Sequence, residues 1–324
     1  MPKNSSQLTV LVTSASRKIP LIHVLRHAAQ QIDPRARIVA GDIDPEAHAR
    51  YVADEFWAMP KTQDEDLPAL VEGCRSLGVG AILPTRDGEL SFWARHRTTF
   101  SDAGISVIVS TPESIKRCLD KLEFAHWGLS NGYRVIPAMR PTAIEGDGPF
   151  VVKERTGAGS KGLGLNLDAV AARAHAAKLD DPIIQPFVSG PEISIDAWLS
   201  GTCAVHGLVL RWRDQVVNGE SQVTTTFRDP VLEAQANALL SGLGVSGPVV
   251  AQAIVTSGGL AVIEVNPRFG GASTASIAVG LDSLLWSLLE ISSPGTNLPE
   301  FNRHDGEVRQ VRLPQDLIVH DPDF

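Results

Sequence analysis

The sequence predicts an α/β protein in three units: a parallel sheet covered by helices, a small central unit with a glycine-rich lid, and a C-terminal antiparallel sheet. Three observations carry this reading. Over residues 8–110 short apolar runs alternate with helical patterns, as in successive βαβ units. Over residues 149–167 a strand, a glycine-rich loop and a second strand follow with no helix between them. Beyond Glu192, strand-like runs recur at hairpin distances and end in Val262-Ile-Glu-Val-Asn-Pro-Arg-Phe-Gly-Gly271, where polar side chains interrupt an apolar strand. A chain of 324 residues is long enough for two or three such lobes.

Composition narrows the class. Hydrophobic residues make up 43% and charged residues 20%, as in ordinary globular proteins. A net charge of -8 without a basic stripe argues against a nucleic-acid partner, but not against nucleotides, which need only a few local cations. The start Met1-Pro-Lys-Asn-Ser-Ser has no apolar signal core and no apolar run is long enough for a membrane span, so a cytoplasmic protein without a membrane partner is expected. Cys74, Cys118 and Cys203 are too scattered for a zinc motif and odd in number for a disulfide framework, so they are expected to be buried thiols.

In the first unit, strands are expected at residues 8–13, 37–42, 55–59, 81–84 and 105–109, with helices such as 19–31 and 67–77 between them. Ligands of such sheets sit at the carboxyl ends of the strands, which singles out residues 14–18, Asp42, Asp44 and the run Thr85-Arg86-Asp87-Gly88-Glu89. The first turn, Thr13-Ser-Ala-Ser-Arg-Lys18, lacks the G-x-G-x-x-G that brings backbone against a pyrophosphate, so a nicotinamide site is not expected. Arg17, Lys18, Arg86, Asp87 and Glu89 either hold a substrate's charged groups or cap helices and solvate loops.

Thr111-Pro112-Glu113 opens a helix, with the hydroxyl as cap and proline in the first turn. Asp120-Lys121 and a helical stretch to Asn131-Gly132 come next. The strand at 149–155 carries Lys153, and the loop at 157–164 contains Gly157, Gly159, Ser160, Lys161 and Gly162. A strand–loop–strand order predicts a hairpin lid, since G-x-x-x-x-G-K-[ST] leading into a helix is absent. Such glycines let amide groups close over phosphate oxygens, and Lys153 can add a point charge. The same residues also fit a plain turn beside an edge-strand lysine.

A helix near 169–179 leads to an apolar strand at 182–188 that breaks at Pro186, then through Ser189-Gly190-Pro191 to a strand at 192–199. That apolar crossover offers backbone donors and acceptors to an adenine ring, and Glu192 at its exit can accept ribose hydroxyls. Strands at 202–212 and 221–227 continue the sheet, with Arg211 and Arg213 expected at the surface unless they meet substrate charge. Asp229-Pro230 caps a helix to about Gly242. Strands at 248–255 and 260–266 form a hairpin, a helix is expected at 278–291, and a last strand at 307–313.

On an extended chain Glu264 and Asn266 leave the same face, and both offer oxygen to a hard cation. Arg268 follows with a planar fork suited to phosphate. A three-residue loop, Ser257 to Gly259, is predicted, which sets Gln252 opposite Glu264; a two-residue loop would set it opposite Ile263 and remove it from the site.

In this order, Asp120-Lys121, P-F-V-V-K153 with its glycine loop, Gly190-Pro-Glu192, Gln252 and E264-V-N-P-R268 resemble the ATP-grasp superfamily, and more narrowly its carboxylate-amine ligases similar to half of the carbamoyl-phosphate synthetase large subunit. The resemblance covers nearly the whole chain. It implies an ATP-grasp fold with a pre-ATP-grasp domain at 1–112, a small lid-bearing subdomain at 113–184 and a C-terminal subdomain at 185–324. It further implies that Lys121 and Lys153 touch the ATP phosphates, that the lid closes over them, that Gln185, Pro186, Phe187 and Val188 line adenine, and that Glu192 binds ribose. Gln252, Glu264 and Asn266 would hold magnesium, or manganese in its place, and Arg268 would steady the transferred phosphoryl group. Gln252 stands where many relatives carry an acid, which weakens one metal position. The activity implied is ATP-dependent joining of a small carboxylate to an amine. A carboxylase or kinase of the same superfamily, or a nucleotide sensor without catalysis, are the alternatives, and a homodimer is carried over from the family alone.

Overall fold

A computed structural model describes residues 7–157, 159 and 162–318. The chain opens with five parallel strands, β1 (Thr9–Val12), β2 (Arg37–Asp42), β3 (Glu55–Ala58), β4 (Ala81–Leu83) and β5 (Ser106–Val107), in the order β3-β2-β1-β4-β5. Their apolar runs are buried on both faces: Val10, Val12 and Ile38 pack on one side, Leu11, Val39 and Ile82 on the other. The order reverses between β1 and β4, so the loops after these two strands, residues 13–18 and 84–87, open onto one crevice.

A three-stranded antiparallel sheet follows: β6 (Phe150–Glu154), β7 (Gly164–Leu167) and β8 (Pro182–Pro186), with β6 in the middle. The third sheet contains β9 (Glu192–Leu199), β10 (Val205–Val217), β11 (Glu220–Phe227), β12 (Gly247–Thr256), β13 (Gly259–Asn266) and β14 (Arg309–Val311), in the order β13-β12-β9-β10-β11-β14. Strict alternation divides β9 between two environments. Ile193, Ile195, Ala197 and Leu199 pack with Leu232, Leu239 and Leu243 of the helix Pro230–Leu243, leaving Glu192, Ser194 and Asp196 to the other face.

Most expected elements are present within a residue or two, and three are corrected. The expected helix at 278–291 is divided: Thr274–Ile277 and Ser283–Ser292 are separate, because Gly280 turns the chain at φ 98°. β10 runs on to Val217 and closes on β11 through Asn218-Gly219, both at positive φ, the residue pair favoured in tight hairpins.

The third correction concerns the β12–β13 hairpin. Thr256 pairs with Gly259, so the loop is the two residues Ser257 and Gly258 rather than three, tightened by Thr256 Oγ1, which accepts from Gly258 N at 3.2 Å and donates to Gly259 O at 2.9 Å. Gln252 nevertheless lies opposite Glu264, because the register shifts by one between Gln252 and Ala253. Ile263 is the extra residue of this bulge. Leu260, Val262 and Val265 point to the core while Ile263, Glu264 and Asn266 do not, so the bulge moves Glu264 and Asn266 off the buried face that unbroken alternation from Leu260 would have given them.

The cysteines divide as well. Cys74 and Cys118 are buried, and burial pushes the Cys74 thiol up to about 12. Cys203 is only half-buried, because it lies at φ 63° in the turn between β9 and β10, outside any core.

Candidate active site

The cleft between the three-stranded and six-stranded sheets collects the polar residues. A row crosses the larger sheet through its register: Glu264 opposite Gln252, Gln252 opposite Ser194, Ser194 opposite Arg211. Asn266 Nδ2 donates to Glu264 Oε1 at 3.2 Å, which leaves the amide oxygen available. Facing this row is Lys121, whose Nζ lies 3.8 Å from Glu264 Oε2 and donates to Gly157 O at 2.7 Å. One ammonium thus touches both the hairpin and the stem of the glycine loop.

Lys121 is placed by the residue before it. Asp120 caps the helix Lys121–Ser130, accepting from Leu122 N and Glu123 N, and also pairs with the Arg155 guanidinium just beyond β6. Burial opposes the Asp120 charge, yet the Arg155 fork and the two backbone donors hold its carboxyl below the usual range. Asp120→Ala removes a cap and leaves Arg155 with Asp181 at 3.9 Å in its place, with an expected loss of roughly 1–3 kcal/mol in urea unfolding. An unchanged midpoint would show the pair to be idle.

Lys153 sits on the cleft side of β6, since its neighbour Val152 is fully buried in the small lobe core with Ile184 and Ala172. Burial pushes its ammonium down to about 8; Glu264 and Glu192 pull it back up, and Lys121 adds to the depression. These influences place Lys153 near Lys121 and near Glu264, which Lys121 also faces. The glycines at 157, 159 and 162 all take positive φ, between 66° and 110°, which glycine adopts without strain. Ser160 and Lys161 lie outside the described residues.

Beyond the lid, Gln185 is buried with its amide spent on Ile136 O at 3.1 Å, and Phe187 N donates to Pro149 O at 2.9 Å. Among the described residues the Phe187 carbonyl and the Val188 N–H have no backbone partner, so the crossover presents one acceptor and one donor side by side after Pro186. Glu192 lies within 3.0 Å of Arg213 Nε, and burial, offset by Arg213, raises its pKa.

Neither Arg211 nor Arg213 is at the surface as expected. Arg211 is buried and holds Asp196 through Nε and Nη2 (2.5 and 3.1 Å), with Nη1 on Thr224 at 2.9 Å. Asp196 also accepts from Ser273 Oγ at 2.7 Å and from Ser276. This satisfied buried network ties the chain after Gly270-Gly271 to the sheet, and with it the segment bearing Arg268.

The charged residues of the first unit divide in the same manner. Glu89 is fully buried, accepting from Thr85 N, Arg86 N and Trp93 Nε1, and Asp42 accepts from Ser16 N and Asp44 N. Both are occupied in holding loops, not free for substrate. Asp87 grips Arg268 across the crevice, Nε to Oδ1 at 2.9 Å and Nη2 to Oδ2 at 2.8 Å. Lys18 donates to Ser14 O at 3.2 Å, and burial followed by the Arg268 charge lowers its pKa.

The chemistry such a set can perform is limited and definite. Among the described residues no group of three His, Cys, Asp or Glu side chains comes together as a metal cluster. One carboxylate and two amide oxygens still suit a hard cation that keeps water and phosphate oxygens as its remaining ligands, as magnesium does. Lys121, Lys153 and Arg213 act on the Glu264 charge, and among the described residues no cysteine or histidine belongs to this set.

Architecture and site together define a fold shared with nucleotide-dependent ligases. N5-carboxyaminoimidazole synthetase from Staphylococcus aureus, solved with ADP, superposes with a TM-score of 0.71 at 19% identity over 92% of this chain and 80% of that one. L-amino acid ligase from Bacillus licheniformis superposes at 0.70 with 14% identity over 89% of this chain and 75% of that one. Residues 10–108 match the family described as PylC-like, N-terminal domain, and residues 118–272 match the ATP-grasp domain. Residues 118–272 thus carry an ATP-grasp domain, preceded by the PylC-like N-terminal domain. A curated relative is the phosphoribosylamine–glycine ligase of Streptomyces coelicolor, 29% identical over 171 residues, which cover 45% of this chain and 40% of that protein. The match therefore spans less than half of that relative's length.

Proposed function

We propose that the chain is an ATP- and magnesium-dependent ligase that activates a small carboxylate as an acyl phosphate and joins it to an amine. The observation that carries this reading is the meeting of the oxygen-bearing hairpin with a lysine of the lid lobe, Lys121 Nζ at 3.8 Å from Glu264 Oε2. A free carboxylate is a poor acyl donor. Forming its bond to the terminal phosphorus of ATP with loss of ADP, then letting the amine nitrogen attack the acyl carbon with loss of phosphate and a proton, makes the amide accessible.

In this reading Lys121 and Lys153 bind the phosphates, and the loop carrying Gly157, Gly159, Ser160, Lys161 and Gly162 closes over them to exclude water. Gln185, Pro186, Phe187 and Val188 line the base, and Glu192 takes the ribose. Gln252, Glu264 and Asn266 would hold magnesium, which when bound neutralises phosphate charge. Arg268 steadies the phosphoryl group in transfer, so positioning and charge suffice without a side-chain nucleophile. The domain limits 1–112, 113–184 and 185–324 belong to the same proposal.

The test is ADP release with amino acids and small carboxylates offered in pairs. ADP formation that needs both partners and gives an amide supports ligation; a carbamate or phosphate ester would move the chain to another branch of the superfamily, and nucleotide binding without turnover would make it a sensor. A pH series adds a second check. Lys153 carries its charge below about 8 and loses it above, so ATP affinity is expected to fall as pH rises through that region, by up to about tenfold per unit. Lys153→Met should bind weakly and without this pH dependence; a parallel slope in the variant would assign the titration elsewhere.

A further inference from the structure

Resting on that phosphoryl-transfer reading, we propose that Asp87 is a positioning residue for Arg268, so that the parallel-sheet unit completes the reaction centre of the other two. Among the described residues Asp87–Arg268 is the one ion pair between the parallel-sheet unit and the six-stranded-sheet unit. Its geometry is that of a planar fork on a carboxylate, two parallel bonds of 2.9 and 2.8 Å, with side chains only 12% and 20% exposed.

Each half is rigidly mounted. Asp87 is the first residue of the helix Asp87–Arg95, whose start is locked by the Glu89 carboxylate accepting from Thr85 N and Arg86 N. On the other side, two residues after Arg268, Gly270 N donates to Ser273 Oγ at 3.1 Å, and Ser273 Oγ donates to the buried Asp196 at 2.7 Å. The segment that carries the arginine is thereby held to the sheet. Ser110 and Ser246 exchange hydrogen bonds of 3.0 Å where the two units meet again, which fixes the distance the ion pair must span.

A guanidinium has five N–H donors, and the Asp87 carboxylate occupies one on Nε and one on Nη2. Of the remaining three, one on Nη1 reaches Phe269 O at a long 3.4 Å, which leaves two for a phosphoryl group. Lys18 feels the Arg268 charge, which Glu89, Asp42 and Glu220 oppose, so a second cation stands near the fork that Asp87 holds. Loss of the Asp87 carboxylate frees the fork to turn.

The test uses MgADP, MgATP and MgADP with aluminium fluoride, a mimic of the phosphoryl group in transfer, so no unidentified substrate is needed. In Asp87→Asn, affinity for the aluminium fluoride complex is expected to fall roughly 10- to 100-fold, while MgADP and MgATP bind as in the unaltered protein. Asp87→Glu, which keeps the charge on a longer arm, should recover part of the loss. Wild-type affinity for the mimic in Asp87→Asn, or an equal loss for all three ligands, would overturn the positioning role alone. An unaltered protein that binds no MgADP would overturn the ligase reading and this one with it.

Discussion

A Glu264→Gln protein is expected to fold normally and to lose magnesium-dependent ATP affinity by on the order of 10²-fold. Glu264 is the one carboxylate among the three oxygen donors of the hairpin, and Lys121 lies 3.8 Å from it. Glutamine keeps the size and one oxygen but leaves that face without negative charge. The same change also removes the leading influence that raises the Lys153 pKa, so that lysine should titrate lower than about 8 in the variant. Calorimetry with MgATP reads the affinity directly, and an unchanged dissociation constant would remove Glu264 from the metal site.

Arg268→Ala should have the opposite signature. Turnover is expected to drop by on the order of 10² to 10³, the cost of losing one donor that acts in the transition state, with MgATP affinity little altered. Near-normal turnover would exclude Arg268 from the mechanism. The two variants therefore separate binding of the nucleotide from transfer of its phosphoryl group.

Much of the architecture was legible because it rests on local rules. Asp120, Thr111 and Asp229 cap helices as their residue types and positions suggest, each through a side-chain oxygen on a first-turn N–H. The alternation that makes Val152 buried and Lys153 a cleft residue could be counted directly. What stayed hidden depended on long-range partners. Arg211 resembles a surface cation until register brings it to Asp196, 15 residues earlier. Asp87 and Arg268 are 181 residues apart, and nothing local marks them as partners.

Two features were readable and still missed. Asn218-Gly219 is a strong hairpin signal that would have extended β10. The spacing Leu260-x-Val262-x-x-Val265, with three steps where two are regular, announces the bulge at Ile263. Gln252 comes to lie opposite Glu264 by that bulge and not by the length of the loop between the strands.

The scarcity of acid on the hairpin has a consequence for the order of events. With Glu264 and Glu192 set against Lys121, Lys153 and Arg213, the cleft by itself leans positive and offers little to a bare dication. Magnesium would then travel in as the passenger of the triphosphate it already chelates, so free metal salts should neither stiffen the protein nor be stripped from it by a chelator.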